Sequence, residues 1–158
     1  MSEVKKLTIP EAQKAFAVGI FNKVWELLET ENRTAEDDEL MINAAHASLY
    51  HWRRIGKPLN FQRGEWMVSH VYIILGMKEP AMHHAQICLD LTEEHGFDDF
   101  DLGFCYEGYA RAAALNGDET TFKKYYKLAS EANEKIKKKG DRDYSKQVLE
   151  AGPWFQMK

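Results

Sequence analysis

Arg63, Trp66 and His70 stand at i, i+3 and i+7, a spacing that gathers all three on one face of a helix. There a guanidinium can stack on an indole and still offer its planar fork to a carboxylate. The stretch from Phe61 to Leu75 is apolar nearly all round after Trp66, so its polar residues matter. An arginine buried there needs a partner, since an unpaired charge in a low-dielectric setting costs several kcal/mol. Glu107 is one candidate; it could equally pair with Arg111, four residues along its own helix, and a plain structural salt bridge is then the alternative reading.

Upstream, Glu39, Asn43, His46, Tyr50 and Arg53 fall on one side of a helical stretch from 35 to 55. At about 100° per residue the opposite side carries Leu40, Met41, Ala44, Ala45, Ser48, Trp52 and Ile55, a stripe expected to face the core, with His51 at its edge. The polar side suits the lining of a groove, although an exposed face with one aromatic lid explains it too. The candidate binding set is therefore His46, Tyr50, His51, Trp52, Asn60, Arg63, Trp66, His70 and Glu107. Two functions are open to it. One is non-catalytic recognition of a peptide or partner protein; the other is a small-molecule pocket or enzyme in which His46 or His51 acts as acid or base and Arg63 holds an anionic substrate.

The six histidines do not have metal-ligand spacing. His46 and His51 are about 140° apart around a helix, His83 and His84 cannot converge on one ion without strain, and His84 with Cys88 makes at most half a site. Cys88 falls where a small residue should face the neighbouring helix, which favours a packed thiol. There is no phosphate loop, nucleophile elbow or HExxH motif. No metal, cofactor or catalytic residue is expected.

Start and stop signals divide the chain into helices. Thr8-Ile9-Pro10-Glu11 and Thr34-Ala35-Glu36-Asp37 place helix starts near 9 and 35. Asn60 as a cap predicts a start at Phe61, Pro80 suits a first helical position, Asp98 or Asp99 caps the next helix, and Asp118 the one after. Glycines that follow apolar runs, chiefly Gly56, Gly76 and Gly117, read as C-terminal stops. Gly19 reads as a weaker copy of the same joint, predicting a turn there. Lys135, Lys137, Lys138 and Lys139 read as the solvated end of a helix stopped by Gly140, and a last helix is expected over 142–151 before Gly152-Pro153, with Trp154 and Phe155 packing back over the array. No strand pattern is present.

With 158 residues, of which 44% are apolar, one domain with a substantial core is expected over 1–158, its segment 142–158 forming a capping helix and tail. A formal net charge of −4 leaves no global positive field to attract a phosphate backbone, which argues against nucleic acid. Cys88 and Cys105 are expected to be reduced thiols. The run Met1-Ser2-Glu3-Val4-Lys5-Lys6-Leu7 lacks a signal peptide's apolar centre, and Val71 to Leu75 is far too short to span a bilayer, so a soluble cytoplasmic protein is expected, with no membrane partner.

Gly76 and Gly117 lie 41 residues apart. Superposing them matches Ser69 with Ala110, Ala85 with Tyr126 and Cys88 with Ala129. These blocks resemble the tetratricopeptide repeat, in which a small residue in the first helix precedes a turn glycine and is followed by small and aromatic residues in the second. Phe122 stands where that repeat favours alanine, the offset exceeds its typical 34 residues, and its tryptophan and terminal proline are missing. Ala44 to Asp118 also resembles an uncharacterised bacterial family of short helical-repeat proteins, through Ala44-Ala45-His46-Ala47-Ser48, Tyr50-His51-Trp52, Asn60, Arg63-Gly64 and Trp66. The resemblance implies an all-α stack of about seven to eight antiparallel helices presenting a protein-binding surface, and no particular activity. The flat ends of such a stack need covers, which the C-terminal segment or a second subunit of a homodimer could provide.

Overall fold

Thr8 and Thr34 each accept the backbone N–H three residues on while that residue's carboxylate returns to the cap, and a helix begins at the next position: α1 (Ile9–Glu29) and α2 (Ala35–Ile55). The computed structural model describes residues 2–158. Five further helices follow, α3 (Pro58–Ile74), α4 (Lys78–His95), α5 (Asp99–Leu115), α6 (Glu119–Glu134) and α7 (Lys139–Ala151), with no strand among the described residues. The chain is all-α.

α3 starts three residues ahead of the expected Phe61 because Pro58 already has the backbone angle of a first helical residue. Asn60 acts from inside that first turn, its Oδ1 accepting the Lys57 N–H at 2.9 Å. Pro80 likewise sits within the first turn of α4, which begins at Lys78.

Gly76 and Gly117 both take positive φ, 71° and 76°, and the next residue's N–H reaches back to a carbonyl five residues earlier, Tyr72 or Ala113. Gly96 closes α4 in the same way, with φ 63° and the Phe97 N–H on the Thr92 carbonyl.

Three expectations fail here. There is no turn at Gly19: α1 runs through it, because Ala17, Val24 and Leu27 keep one continuous buried stripe and a single helical glycine costs only about 1 kcal/mol. Leu40 lies outside the core stripe of α2 and is 47% exposed, because the buried arc is turned away from it and reaches Leu49 at its other edge. The lysine run is not the end of a helix stopped by Gly140; α6 ends at Glu134, and Gly140 lies in the first turn of α7. Buried Ile136 anchors that connection, and the Arg142 guanidinium donates to its carbonyl at 2.8 Å.

The helices pack most extensively as the hairpins α1/α2, α3/α4 and α5/α6, and successive hairpins stack through α2/α3 and α4/α5. One core cluster runs from Val24 and Met41 through Met67, Val68 and Val71 to Cys88 and Cys105. A second joins Ala110, Ala113, Phe122, Ala129 and Leu149 to Trp154. Alanines 110 and 112–114 let neighbouring helices approach α5 closely. Along one side of the stack α3 contacts α5 and α5 contacts α7, while α1 reaches α3 through the Trp25 and Trp66 indoles, 6.0 Å apart. This row of odd-numbered helices carries the cavity described next. Among the described residues no helix is long and apolar enough to cross a membrane.

Candidate partner-binding groove

An open groove of about 640 Å³ lies along α1, α3, α5 and α7. Phe21 and Trp25 enter it from α1, four residues apart along the edge of the Ala17–Val24–Leu27 stripe, and pack against the same core cluster. α3 contributes Gln62, Arg63 and Trp66; the start of α5 contributes Asp98, Asp99, Phe100, Asp101 and Phe104; α7 contributes Asp141 and Tyr144. Phe104 stacks with Phe100 at 4.5 Å and with Tyr144 at 6.0 Å, so one wall is a continuous aromatic surface.

Arg63 is fixed by its own chain. Its Nε and Nη2 donate to Asp101 Oδ1 and Oδ2 at 2.8 and 3.0 Å, a bidentate pair that holds the guanidinium across the rim while its side chain stays 52% exposed. The fork that the sequence offered to an external carboxylate is thus occupied, and the ring stacked on Trp66 is His70, at 4.8 Å and 10° between planes.

Trp66 is the floor. Its Nε1 donates to Glu107 Oε2 at 3.3 Å, and Gly108 makes room for it: a Cβ there would come within 2.9 Å of the indole Cδ1. Glu107 pairs with Arg111, the intrahelical partner, and not with Arg63. Burial holds the Glu107 carboxyl above the usual carboxylate range even though Arg111 and Trp66 pull the other way. Arg111, itself buried, donates to the carbonyls of Gly152 and Val148 and lies over the Trp154 ring at 4.8 Å. Burial among these groups, with Arg111 adding repulsion, pushes the His70 pKa down to about 3, so its imidazole is neutral at physiological pH.

Trp52 and Asn60 line a smaller adjoining hollow of about 150 Å³ with Val18, Asn22 and Gly64; Arg63 and Phe21 belong to both cavities and form the ridge between them. The remaining candidates lie elsewhere. His46 is hydrogen-bonded through Nε2 to the Tyr72 hydroxyl at 2.7 Å and sits beside His84, whose Nδ1 is 2.6 Å from Glu65 Oε2. Burial and the neighbouring His84 lower the His46 pKa. Burial alone would raise Glu65, but hydrogen bonds from His84 and Arg53 outweigh it and hold its carboxyl low. Tyr50, 60% exposed, meets the His51 ring edge-on, and His51 packs on Phe16 with its buried Nδ1 left without a hydrogen-bond partner. Cys88 is buried beside Cys105, whose hydrogen bond and the surrounding apolar burial push its thiol pKa well up.

The structure therefore unites Arg63 and Trp66, places Trp52 and Asn60 next door, sets His70 and Glu107 around the floor, and separates His46, Tyr50 and His51 from the groove. Most of its lining was not anticipated. The signals were Phe21 with Trp25 and Phe100 with Phe104, aromatic pairs at i, i+4, and Asp141 with Tyr144 at i, i+3. From the sequence, Asp98, Asp99 and Asp101 read as cap and first-turn charge, and they do occupy those positions of α5. Asp98, however, makes no side-chain cap bond, Asp99 accepts the Lys137 N–H at 2.9 Å, and Asp101 takes Arg63. Comparison of the chain with family models, curated proteins and solved structures returns no match.

Proposed function

We propose that the chain is a non-catalytic, tetratricopeptide-like module that binds an extended segment of a partner protein in the groove of α1, α3, α5 and α7. The observation that carries this reading is the groove: open to solvent on one side and walled by six aromatic side chains from four helices. Aromatic faces give large contact area at low conformational-entropy cost, and a few of them usually dominate a protein interface. The repeat reading is supported by the equivalent blocks around Gly76 and Gly117. Their small residues Ser69 and Ala110 are both buried, as are Ala81 and Phe122 in the helices that follow. The enzyme reading has less support, because its acid–base candidates stand apart from Arg63: His46 is bonded to Tyr72, His51 packs on Phe16 and Tyr50, and neither lines the groove or the adjoining hollow.

The test is to pan a random peptide library displayed on phage against the full chain. Enriched peptides are then measured by fluorescence anisotropy on the wild type and on Tyr144→Ser and Arg63→Ala. Tyr144 is 47% exposed and Arg63 half-exposed, so both variants should melt within a few degrees of the wild type. Loss of the aromatic wall should weaken binding by roughly tenfold or more, and Arg63→Ala by a smaller factor. Peptides that bind Tyr144→Ser as tightly as the wild type, or a library that yields no enrichment, would refute a peptide groove.

A further inference from the structure

The groove's charge is lopsided. Its lining holds four carboxylates, Asp98, Asp99, Asp101 and Asp141, against the single guanidinium of Arg63. Arg63 is spent on Asp101. Asp99 uses one oxygen on the Lys137 N–H. Neither Asp98 nor Asp141 has an ion-pair partner among the described residues: Lys139 pairs with Asp143 at 2.7 Å, Arg142 donates to the Ile136 carbonyl, and the side chains of Lys135, Lys137 and Lys138 reach no carboxylate. The carboxylates thus share the lining with the aromatic wall, Asp101 one turn before Phe104 and Asp141 one turn before Tyr144.

We infer that the occupant of this groove carries a positively charged side chain, an arginine or lysine of the partner segment, seated on the Phe104–Tyr144 wall beneath Asp98 and Asp141. The inference rests on the peptide-groove reading and narrows it to basic segments. Aromatic faces present negative potential, so they attract a cation and favour guanidinium, which can also stack. Carboxylates at the rim then steer the same charge inward and fix its register. An anionic segment would meet four carboxylates with the one compensating cation already bonded, and a purely apolar segment would leave the rim unanswered.

The probes are three fluorescein-labelled peptides of one scaffold, Gly-Ser-Tyr-Xaa-Pro-Tyr-Xaa-Ser-Gly, in which Xaa is arginine, norleucine or glutamate. Each is titrated by anisotropy with the full chain, with Asp98→Asn/Asp141→Asn, and with Tyr144→Ser. The arginine peptide should bind about tenfold or more tighter than the norleucine peptide, and the glutamate peptide weakest. That advantage should fall to about threefold or less in the double asparagine variant, and also on raising sodium chloride from about 50 mM to about 500 mM. Equal affinity of the arginine and norleucine peptides, both weakened in Tyr144→Ser, would overturn the cationic preference and leave the groove standing. Binding indifferent to Tyr144→Ser, or absent for all three peptides up to about 1 mM, would overturn groove and preference together.

Discussion

Replacing His70 by phenylalanine should make the protein less sensitive to acid. His70 stacks flat on Trp66 and lies beside Trp25, where burial and Arg111 hold its pKa at about 3 against an ordinary 6.5. A depressed histidine favours folding wherever the imidazole is neutral in both states. Its contribution is intact above about pH 6.5 and is lost as pH falls from there toward 3, because only the unfolded chain gains the proton. At pH 5 the loss relative to pH 8 is RT times the logarithm of a factor of about 30, or about 2 kcal/mol. Phenylalanine keeps a flat ring on Trp66 and cannot titrate. Urea unfolding followed by circular dichroism should show the wild type losing about 2 kcal/mol more than His70→Phe between pH 8 and pH 5, a midpoint difference of about 1 M. His46 and Glu65, both lowered, also favour a loss of stability on acidification, and Glu107, raised, opposes it. All three are present in both proteins, so the difference isolates His70. Parallel pH profiles for the two proteins would show that the ring is not held neutral by its surroundings.

Two further outcomes are expected. Gly108→Ala should drive Cβ into the Trp66 indole, costing about 1–3 kcal/mol in thermal denaturation and shifting tryptophan emission, whereas Gly140→Ala, which meets open space, should do neither. Truncation after Ala151 removes Trp154 and the Gly152 carbonyl from Arg111 and should lower the melting temperature by about 10 °C; an unchanged melting curve and sedimentation profile would remove the capping role of this segment.

The helical stack could be read from the sequence because its signals are local. A threonine with an acidic residue three positions on, or an aspartate after a glycine, states a helix start whatever surrounds it, and Thr8, Thr34 and Asp118 all cap as their spacing implied. The errors came where a local signal competed with packing. Gly19 resembles a stop, yet the buried stripe on either side carries α1 through it, and Pro58 outranks Asn60 in setting the start of α3. The groove was harder because its lining converges from four helices. One face of α3 drew attention to Arg63 and Trp66, but Phe21, Phe104 and Tyr144 each look like ordinary core aromatics until the odd-numbered helices stand side by side. Asp101 is one of three carboxylates within four residues, and nothing in its spacing from Arg63 singles it out.

Trp66 and Trp154 hang from opposite ends of a single charge pair, the first bonded to Glu107 and the second beneath Arg111. One indole floors the groove and the other closes the far side of α5 and α7. The segment 152–158 is therefore connected to the groove floor through Glu107 and Arg111, two buried residues one helical turn apart. A label or fusion that disturbs this segment should alter the surroundings of Trp66 as well as Trp154, two of the chain's four tryptophans.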